Sequence, residues 1–237
     1  MRIMSLNINK YRNLIFQGKT FGKVFSLIQE VKPDVVFFQE IINKDNKRKI
    51  DSHGLELLAD STWYDYRFHK NATYSELSYG NAIISRFPIV EDDLLNISTN
   101  TFEQRGCLYS KIKYPKDGKF HNIHLFCTHL NLLKKSRLKQ VALIKKFILS
   151  KVNTHEAIVL GGDFNDWDKS TQKFLLGIFS ESEIYFQKQG IKSFPSIFPL
   201  LPLDKLYVHN LEILSEKSIK GFLSSDHLPI ILDVSAY

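Results

Sequence analysis

Cysteine is scarce in this sequence, which has only Cys107 and Cys127 in 237 residues. Both lie in apolar segments with the character of strands. A chain of this length can bury a sufficient core without covalent cross-links, so the fold does not need a disulfide framework. We expect both residues to be buried free thiols.

Long apolar runs are also missing, and no stretch has the length that a membrane-spanning helix requires. The segment Met1–Asn7 is too short and too polar for a signal peptide. We therefore expect a cytoplasmic protein without an integral membrane segment, although export without a cleaved signal stays open. No repeat, low-complexity tract or linker interrupts the chain, so we expect residues 1–237 to form a single domain.

Acidic residues are outnumbered, with 25 Asp and Glu against 32 Lys and Arg, which gives a net charge of +7. This excess favours an anionic substrate or partner, although many basic proteins bind nothing anionic. Several basic residues fall in one predicted helix, where a solvated helix face is the more common explanation. These residues are Lys134, Lys135, Arg137, Lys139, Lys145, Lys146 and Lys151. Nucleic acid stays open as a partner.

The most informative segment begins with an apolar run, Ala157–Leu160, which predicts a buried strand. Two glycines follow, where the backbone turns or lies close to another group. Asp163 and Asn165 then stand two residues apart, so in extended backbone they face the same way. This pattern indicates a polar site on a rigid support. Alternatively, the pair forms an Asx turn that caps a helix after Trp167.

The remaining chain alternates predicted strands with a few helices. One helix is expected from Phe21 to Val31, capped by Thr20 and ended by Pro33. Residues 43–60 are charged and then helical, and residues 115–118 have the composition of a turn between two strands. Many strands in two blocks, each with its own helices, predict an α/β fold in which two sheets pack face to face.

Polar side chains follow the predicted strands at their ends. This set combines carboxylates and carboxamides with two histidines and contains no cysteine, so it suits Mg²⁺, Mn²⁺ or Ca²⁺ better than zinc. Binding of Mg²⁺ through one or two carboxylates and substrate phosphate oxygens matches Asn7 and Glu40. The full set is Asn7, Glu40, His129, Asn131, Asp163, Asn165, Asp226 and His227.

Five motifs in this set, taken in order, resemble the endonuclease/exonuclease/phosphatase superfamily over essentially the whole chain. That superfamily includes exonuclease III-like abasic endonucleases, pancreatic deoxyribonuclease, neutral sphingomyelinases and inositol polyphosphate 5-phosphatases. The resemblance implies a DNase I-like fold, a four-layered α/β sandwich of two packed, mainly antiparallel sheets flanked by helices. The motifs are Leu6-Asn7-Ile8-Asn9, Phe38-Gln39-Glu40, Thr128-His129-Leu130-Asn131, Gly162-Asp163-Phe164-Asn165 and Ser225-Asp226-His227.

Three further segments are most similar to a bacterial subgroup of metal-dependent hydrolases within the superfamily. The chain departs from the abasic endonucleases at Lys10, where they carry glycine, and at Pro202 and Leu203, where they carry aromatic residues or arginine. Both departures argue against a pocket for an abasic site. The three segments are Gly80–Ile89, Gln104-Arg105-Gly106 and Leu200–Lys205.

The resemblance implies a metal site and places the cation on Glu40, with Asn7 completing or supporting the site. Asp226 holds a second metal or fixes a water molecule. The implied cofactor is Mg²⁺, for which Mn²⁺ is expected to substitute. Such a metal polarises a phosphoryl oxygen and steadies the leaving oxygen.

The resemblance also implies catalytic roles. Asp163 acts as general base with Asn165 beside the phosphate, and His129 and His227 donate hydrogen bonds to phosphate oxygens. Asp204 orients His227.

The remaining site residues are implied less directly. Arg105 clamps phosphate, although a surface arginine is the common alternative. Asn81 and Asn131 are expected to line the substrate site.

The predicted function is Mg²⁺-dependent hydrolysis of phosphate esters, with a small or lipid-derived diester as substrate. The apolar loop from Phe194 to Pro202 motivates this preference, because it suits peripheral lipid contact, although such a loop could also pack onto the core. The alternatives are a nuclease acting on DNA or RNA and a catalytically inactive binding module. No feature predicts an integral membrane segment or an obligate protein partner.

Overall fold

Strand β1 (Arg2–Asn7) shows how the sheets are layered, because five of its six residues are buried. Ile3 packs with one apolar cluster and Met4 with another, so both faces of the strand are covered. The alternation expected from the sequence is present, and it places Asn7 at the end of the strand on the Ile3 side. The computed structural model describes residues 1–9, 22–44, 59, 65–74, 77–101, 103–187 and 190–236.

The first sheet has six strands, and β1 lies near its middle in the order β10-β11-β1-β2-β4-β3. β1 and β2 are parallel, and the other neighbours in this sheet are antiparallel. The other five strands are β2 (Val35–Lys44), β3 (Asp65–Tyr74), β4 (Leu77–Ser85), β10 (Leu211–Ser218) and β11 (Ile230–Ala236).

The second sheet has five strands in the order β5-β6-β7-β8-β9. β7 and β8 are parallel, and the remaining pairs are antiparallel. The strands are β5 (Ile89–Asn96), β6 (Gly106–Lys116), β7 (Lys119–His129), β8 (Ala157–Asp163) and β9 (Asp204–His209).

Helices cover the outer face of each sheet. Helix α1, residues 22–31, packs on the first sheet through Val24, Leu27 and Ile28. Helices α2 (Lys134–Lys151) and α3 (Ser170–Ser180) pack on the second sheet. The layers are therefore helix, sheet, sheet and helix, which confirms the predicted sandwich. No helix in the described chain is long and apolar enough to cross a membrane.

The apolar cluster that contains Ile3 fills the space between the two sheets. Gly161 of β8 lies between the sheets, beside Phe37 of the first sheet and Leu206 of its own sheet. A Cβ atom at this position would lie 2.4 Å from Leu206 Cδ2 and 2.7 Å from Phe37 Cδ2. The glycine is therefore required by packing across the sheet interface and not by a turn, since β8 continues through it to Asp163.

Local predictions about the cysteines and the β6–β7 turn are confirmed. Asp117 and Gly118 have φ angles of 52° and 73°, as a two-residue hairpin turn requires, and they join β6 to β7. Cys107 and Cys127 are buried free thiols. They face opposite sides of the second sheet, because Cys107 packs toward the helices and Cys127 toward the first sheet.

The predicted basic face of helix α2 needs a correction. Arg137 is only 2% exposed, and its guanidinium donates hydrogen bonds to Thr171 Oγ1, the Leu132 carbonyl and Asp168. It therefore belongs to the packing between α2 and α3 and not to a solvated or nucleic-acid-binding surface. The proposed cap Thr20, the departure at Lys10 and most of the charged segment 43–60 lie outside the described residues.

Substitution of Gly161 by alanine tests the close approach of the sheets. We expect Gly161→Ala to lower the free energy of unfolding by about 1–3 kcal/mol, because the new methyl group overpacks the interface. The control is Gly177→Ala in helix α3, where no atom lies within 4 Å of the added Cβ. That change should raise stability by about 0.5–1 kcal/mol through helix propensity. Equal effects in urea denaturation would show that Gly161 is not a packing constraint.

Candidate active site

Strand ends from both sheets bring the polar residues together at one edge of the sandwich. In the second sheet, His129 is opposite Asp163 and Asp163 is opposite Asp204, so three neighbouring strands place these side chains in one row. In the first sheet, β1 ends at Asn7 and contributes an amide to the same place. The site therefore depends on both sheets.

The carboxylate of Asp163 is the centre of this group. Its Oδ2 accepts a hydrogen bond from Asn7 Nδ2 at 3.0 Å. The Nε2 atoms of His129 and His227 lie 3.6 Å and 3.7 Å from the same oxygen. One carboxylate oxygen thus has an amide donor and two imidazoles around it, while Asp163 itself is 1% exposed.

The backbone around Asp163 is shaped by Gly162 before it and by a turn and a helix cap after it. Gly162 has a φ of 134°, and a Cβ there would lie 1.8 Å from the Thr128 carbonyl oxygen, so β8 approaches β7 closely at this point. The Asx turn considered from the sequence is present, because the Asn165 amide donates to Asp163 Oδ1 at 2.9 Å. However, it is Asp166 that caps helix α3, accepting bonds from the amides of Thr171 and Gln172.

Asn165 adopts a left-handed backbone conformation with a φ of 47°. Its Nδ2 donates to the Leu130 carbonyl at 2.9 Å and lies 3.2 Å from His129 Nε2. The amide is therefore fixed between β7 and β8. This geometry places Asn165 beside both His129 and Asp163, as the sequence spacing predicts.

His227 is paired with the buried carboxylate of Asp204, with Nδ1 2.7 Å from Oδ2. Burial alone lowers the pKa of His227, but the Asp204 and Asp163 carboxylates outweigh it and raise the pKa to about 10. The imidazole is therefore a cation at neutral pH. Ser193 Oγ donates a second hydrogen bond to Asp204 Oδ2, at 2.5 Å.

The pKa of Asp163 is raised above its ordinary value. Burial is the main cause, and the charge of Asp204 adds to it, while the His227 imidazolium and the hydrogen bonds from Asn165 and Asn7 oppose it. A carboxylate with a raised pKa accepts a proton more readily near neutral pH, which suits a general base.

Glu40 reaches the same site from the first sheet through an irregular backbone. Its φ is 55°, and the register between β2 and β4 shifts between Phe38 and Ile41. Such a bulge redirects a side chain out of the regular alternation. The carboxylate of Glu40 lies 3.8 Å from Nδ1 of His129.

These groups open into a cavity of about 540 Å³, within the range of small-molecule sites. Asp204 supports His227 from behind, and the cavity has polar and apolar walls. The lining residues are Asn7, Asn9, Glu40, Asn71, Tyr79, Gly80, Glu103, Gln104, Arg105, His129, Leu132, Asp163, Asn165, Trp167, Phe194, Leu203, Asp226 and His227.

Two predicted substrate-site residues do not line this cavity. Asn81 is buried and donates to the Gly106 carbonyl at 3.1 Å, which ties β4 to β6. Asn131 Oδ1 accepts a bond from the Leu133 amide, and the Asn131 backbone amide donates to Gln140. Both side chains therefore bind backbone groups close to the site, and neither lines the cavity as the structure shows it.

Arg105 does line the cavity, with its guanidinium held by Glu103. The Nη2–Oε1 distance is 3.0 Å, and the Arg105 side chain is 16% exposed. Its buried Nε has no hydrogen-bond partner among the described residues. The negative charge of Glu103 lowers the attraction of Arg105 for an anion. Arg105 could therefore clamp phosphate only while its guanidinium also binds Glu103.

Aromatic residues form a wall that the sequence analysis did not identify. The Phe194 ring lies 4.9 Å from the His227 ring and 6.4 Å from the Trp167 ring, measured between centroids. Trp167 stands two residues after Asn165, and this proximity to the motif is the one sequence signal that could have indicated it.

Lys205 is a second residue that the sequence analysis missed. It is 2% exposed, and its Nζ donates to Asp166 Oδ2 at 2.9 Å and to Gln172 Oε1 at 3.2 Å. Burial lowers the pKa of Lys205, and Asp166 opposes this shift. A lysine in a predicted buried strand needs an acidic partner. Its position in β9 was therefore the feature of the sequence that could have indicated a buried ion pair.

Two sets of residues in this site could ligate a metal ion. Ligand atoms of Asp163, Asp204 and His227 lie within 4.8 Å of one another. In this set His227 Nδ1 already pairs with Asp204 Oδ2, so Nε2 is the imidazole nitrogen left for a metal. Glu40, Asp226 and Asn7 offer oxygen atoms in the same cavity, which suit a hard cation.

Comparison with known families identifies the chain. Residues 4–227 match the model of the Endonuclease/Exonuclease/phosphatase family, and the protein belongs to that family. Protein YbhP of Escherichia coli (strain K12) is 29% identical over 244 aligned positions, which cover 98% of this chain and 95% of YbhP. The resemblance indicated by the sequence motifs is therefore confirmed.

Solved structures confirm the fold. An endonuclease/exonuclease/phosphatase from Bacteroides vulgatus superposes with a TM-score of 0.77 at 17% identity, covering 100% of this chain and 98% of that one. A mannosyl-6-phosphatase from Bacteroides thetaiotaomicron superposes with a TM-score of 0.75 at 16% identity, covering 99% of each chain. At these identities the comparison supports the DNase I-like sandwich and no particular substrate.

Removal of the Lys205 charge tests the buried ion pair. We expect Lys205→Met to lower the free energy of unfolding by about 3–5 kcal/mol, because Asp166 is left as a buried charge without a cation. The control is Lys145→Met, whose partner Glu181 is 71% exposed. That change should cost less than about 1 kcal/mol. If urea denaturation gave similar losses of unfolding free energy for both variants, the buried pair would stabilise the fold no more than an exposed pair does.

Proposed function

We propose that this protein hydrolyses phosphate esters, with Asp163 as the general base. The observation that supports this proposal is the surrounding of one buried carboxylate oxygen by Asn7, His129 and His227. Acid, amide and imidazole groups held within one cavity can activate water and stabilise phosphate charge together. Members of this family hydrolyse phosphate esters.

The proposed cofactor is Mg²⁺, with Mn²⁺ able to substitute. Glu40 would bind the cation directly, Asn7 would support it, and Asp226 would bind a second ion or fix a water molecule. A bound Mg²⁺ would polarise a phosphoryl oxygen and stabilise the charge on the leaving oxygen. The oxygen-rich lining of the cavity is the chemical basis for this choice.

The protein's own side chains transfer the proton from the attacking water and position the phosphate. Asp163 takes a proton from water as the water oxygen forms a bond to phosphorus, and the bond from phosphorus to the leaving oxygen breaks. His227, held as a cation by Asp204, donates to a non-bridging oxygen, where negative charge increases. The leaving oxygen then takes a proton from solvent, and the products are an alcohol and the shortened phosphate ester.

The proposed substrate is a small or lipid-derived phosphodiester. The cavity volume of about 540 Å³ suits a small group, and its aromatic wall, Trp167 and Phe194, is apolar. Pro202 and Leu203 occupy positions where residues that wall a flipped abasic sugar would stand. These features favour a compact phosphodiester over duplex DNA.

The second candidate is a nuclease, because the chain carries a net charge of +7. The basic helix α2, the other support for a nuclease, is weaker than its sequence indicates, since Arg137 is buried and Lys134, Lys145 and Lys151 are paired with acids, which leaves Lys135, Lys139 and Lys146 exposed. Nuclease function predicts binding to nucleic acid that weakens steeply as salt rises. An inactive binding module, the third candidate, predicts no hydrolysis of any phosphate ester.

Hydrolysis of bis(p-nitrophenyl) phosphate tests the proposal and the role of Glu40. We expect turnover that requires Mg²⁺ or Mn²⁺ and disappears with a chelator. Glu40→Gln removes the charge that holds the cation, so turnover at low Mg²⁺ should fall at least about 100-fold and recover partly at high Mg²⁺.

Two controls accompany this test. Glu216→Gln, on the exposed face of edge strand β10, should leave turnover unchanged. Mg²⁺ should raise the melting temperature of the unaltered protein more than that of Glu40→Gln, because binding to the folded state stabilises it. An unchanged metal requirement in Glu40→Gln would remove this residue from the ligand set.

Combining substitutions of Asp163 and His227 tests whether they act on one transition state. Asp163→Asn and His227→Ala should each lower turnover by about 100- to 10,000-fold. The double variant should be far less impaired than the product of the two effects. His227→Ala also leaves Asp204 buried without its cation, so activity must be measured well below the melting temperature of each variant. Multiplicative losses would show that the two residues act independently.

A further inference from the structure

Exposed apolar side chains border the cavity on two segments. Ile197, Phe198 and Leu200 are 79%, 68% and 52% exposed, and they follow the cavity residue Phe194. Leu132 and Leu133 are 53% and 65% exposed, and they directly precede helix α2. Soluble proteins rarely expose groups of large apolar side chains, and such groups commonly mark an interaction surface.

A series of contacts links the two segments, partly through the buried side chain of Arg137. The Leu132 carbonyl accepts a hydrogen bond from Arg137 at 2.6 Å, and Arg137 also donates to Asp168 at 3.4 Å. The neighbouring Trp167 ring contacts Phe194, which leads into the second segment. Leu132, Trp167 and Phe194 all line the cavity, so both apolar segments belong to one rim.

The fold holds the second segment in its exposed position. Ser196 is only 6% exposed, its amide donates to the Asp226 carbonyl at 2.7 Å, and its hydroxyl donates to the Ser225 carbonyl at 2.7 Å. The next two residues, Ile197 and Phe198, stand in solvent. The alternative that this part of the loop packs onto the core is therefore wrong for these side chains.

Unpaired positive charge lies next to the first segment. Lys135, Lys139 and Lys146 are exposed and share one face of helix α2, because they are four and seven residues apart. None of the three forms an ion pair with another described residue. The lysines that do form ion pairs, Lys134, Lys145 and Lys151, are held by acids of the protein itself.

We infer that this rim surface, comprising Leu132, Leu133, Ile197, Phe198, Lys135 and Lys139, docks on an anionic lipid bilayer. Apolar side chains beside free lysines match an interface with an acyl layer below and negative headgroups above. Docking would set the cavity mouth against the headgroups. The inference deepens the proposed function and rests on it for the substrate, but membrane binding itself requires no turnover.

Charge and polarity favour a bilayer over the other occupants of such a surface. A nucleic acid offers phosphates to the lysines but no apolar phase to the exposed leucines, isoleucine and phenylalanine. A second copy of the chain would bring the same lysines toward one another, and like charges repel. An anionic bilayer satisfies both halves of the surface.

Vesicle sedimentation with the full-length Asp163→Asn variant tests the docking without hydrolysis of the lipid. The probes are phosphatidylcholine vesicles with and without phosphatidylserine. We expect binding to vesicles that contain phosphatidylserine, weaker binding without it, and partial release at high salt because surface charge is screened. Binding to neither type of vesicle would overturn the inference.

Matched variants locate the contact. Ile197→Ser with Phe198→Ser should weaken vesicle binding at least about tenfold, because two large apolar groups no longer enter the bilayer. The control is Phe120→Ser, which removes a 71% exposed ring at the opposite end of β7 from His129. Melting temperatures should change little in either variant, because all three side chains are exposed. An equal loss of binding in both variants would overturn the inference.

A second pair of variants tests the charge. Lys135→Glu with Lys139→Glu should abolish the preference for phosphatidylserine, whereas Lys119→Glu, in the remote hairpin, should preserve it. Binding to duplex DNA at protein concentrations that leave phosphatidylserine vesicles unbound would assign the lysines to nucleic acid and overturn the membrane assignment.

Turnover separates this inference from the proposed function. In the catalytically intact background, Ile197→Ser with Phe198→Ser should reduce hydrolysis of dispersed phospholipid far more than hydrolysis of bis(p-nitrophenyl) phosphate. Hydrolysis of the soluble diester without any vesicle binding would overturn docking and leave the proposed function standing. Vesicle binding without hydrolysis of any phosphate ester would overturn the proposed function and leave docking standing.

Discussion

The buried ion pair between Lys205 and Asp166 is the constraint on which the geometry of the site depends. Lys205 follows Asp204 in β9, and Asp166 follows Asn165 after β8. The carboxylate of Asp166 also caps helix α3 through two backbone amides. One pair of charges therefore joins the segments that carry Asp163, the proposed general base, its neighbouring amide Asn165, and Asp204 behind His227. A buried charge without its partner is strongly unfavourable, so these segments cannot shift independently.

Both sheets contribute residues to the site, and each sheet contributes a different kind of residue. The second sheet provides Asp163 and His129 as a fixed row set by strand register. The first sheet and its following loops provide Asn7, Glu40 and Asp226, the oxygen-bearing side chains assigned to the cation. Acid–base groups and proposed metal ligands thus come from opposite layers. At Gly161 the missing side chain makes room for Phe37 of the first sheet, so the two layers pack closely there.

Sequence alone predicted the sandwich and most of the cavity, because strand ends and side-chain alternation are local properties. Asn131 shows the limit of that reasoning, since its carboxamide completes a turn before helix α2 instead of facing the cavity. Arg137 belongs to a run of basic residues, and only the position of α3 shows that it is buried. Glu40 was predicted as a site residue, but its left-handed backbone depends on the bulge against β4. The burial of Arg137 and the backbone of Glu40 depend on segments distant in sequence, which local patterns do not show.

The strand order of the first sheet has a consequence for synthesis of the chain on the ribosome. β1 emerges first but lies between β2 and β11, and β11 is the last strand of the described chain. Because β1 and β11 lie at opposite ends of the described chain, one hydrogen-bonding edge of this buried strand lacks its native neighbour until β11 has been synthesised, and an unpaired edge is open to aggregation. Asp204, Asp226 and His227 also emerge late. Asp226 and His227 lie just before β11, so the residues of the candidate site are all present only at the stage when this edge of β1 can be paired.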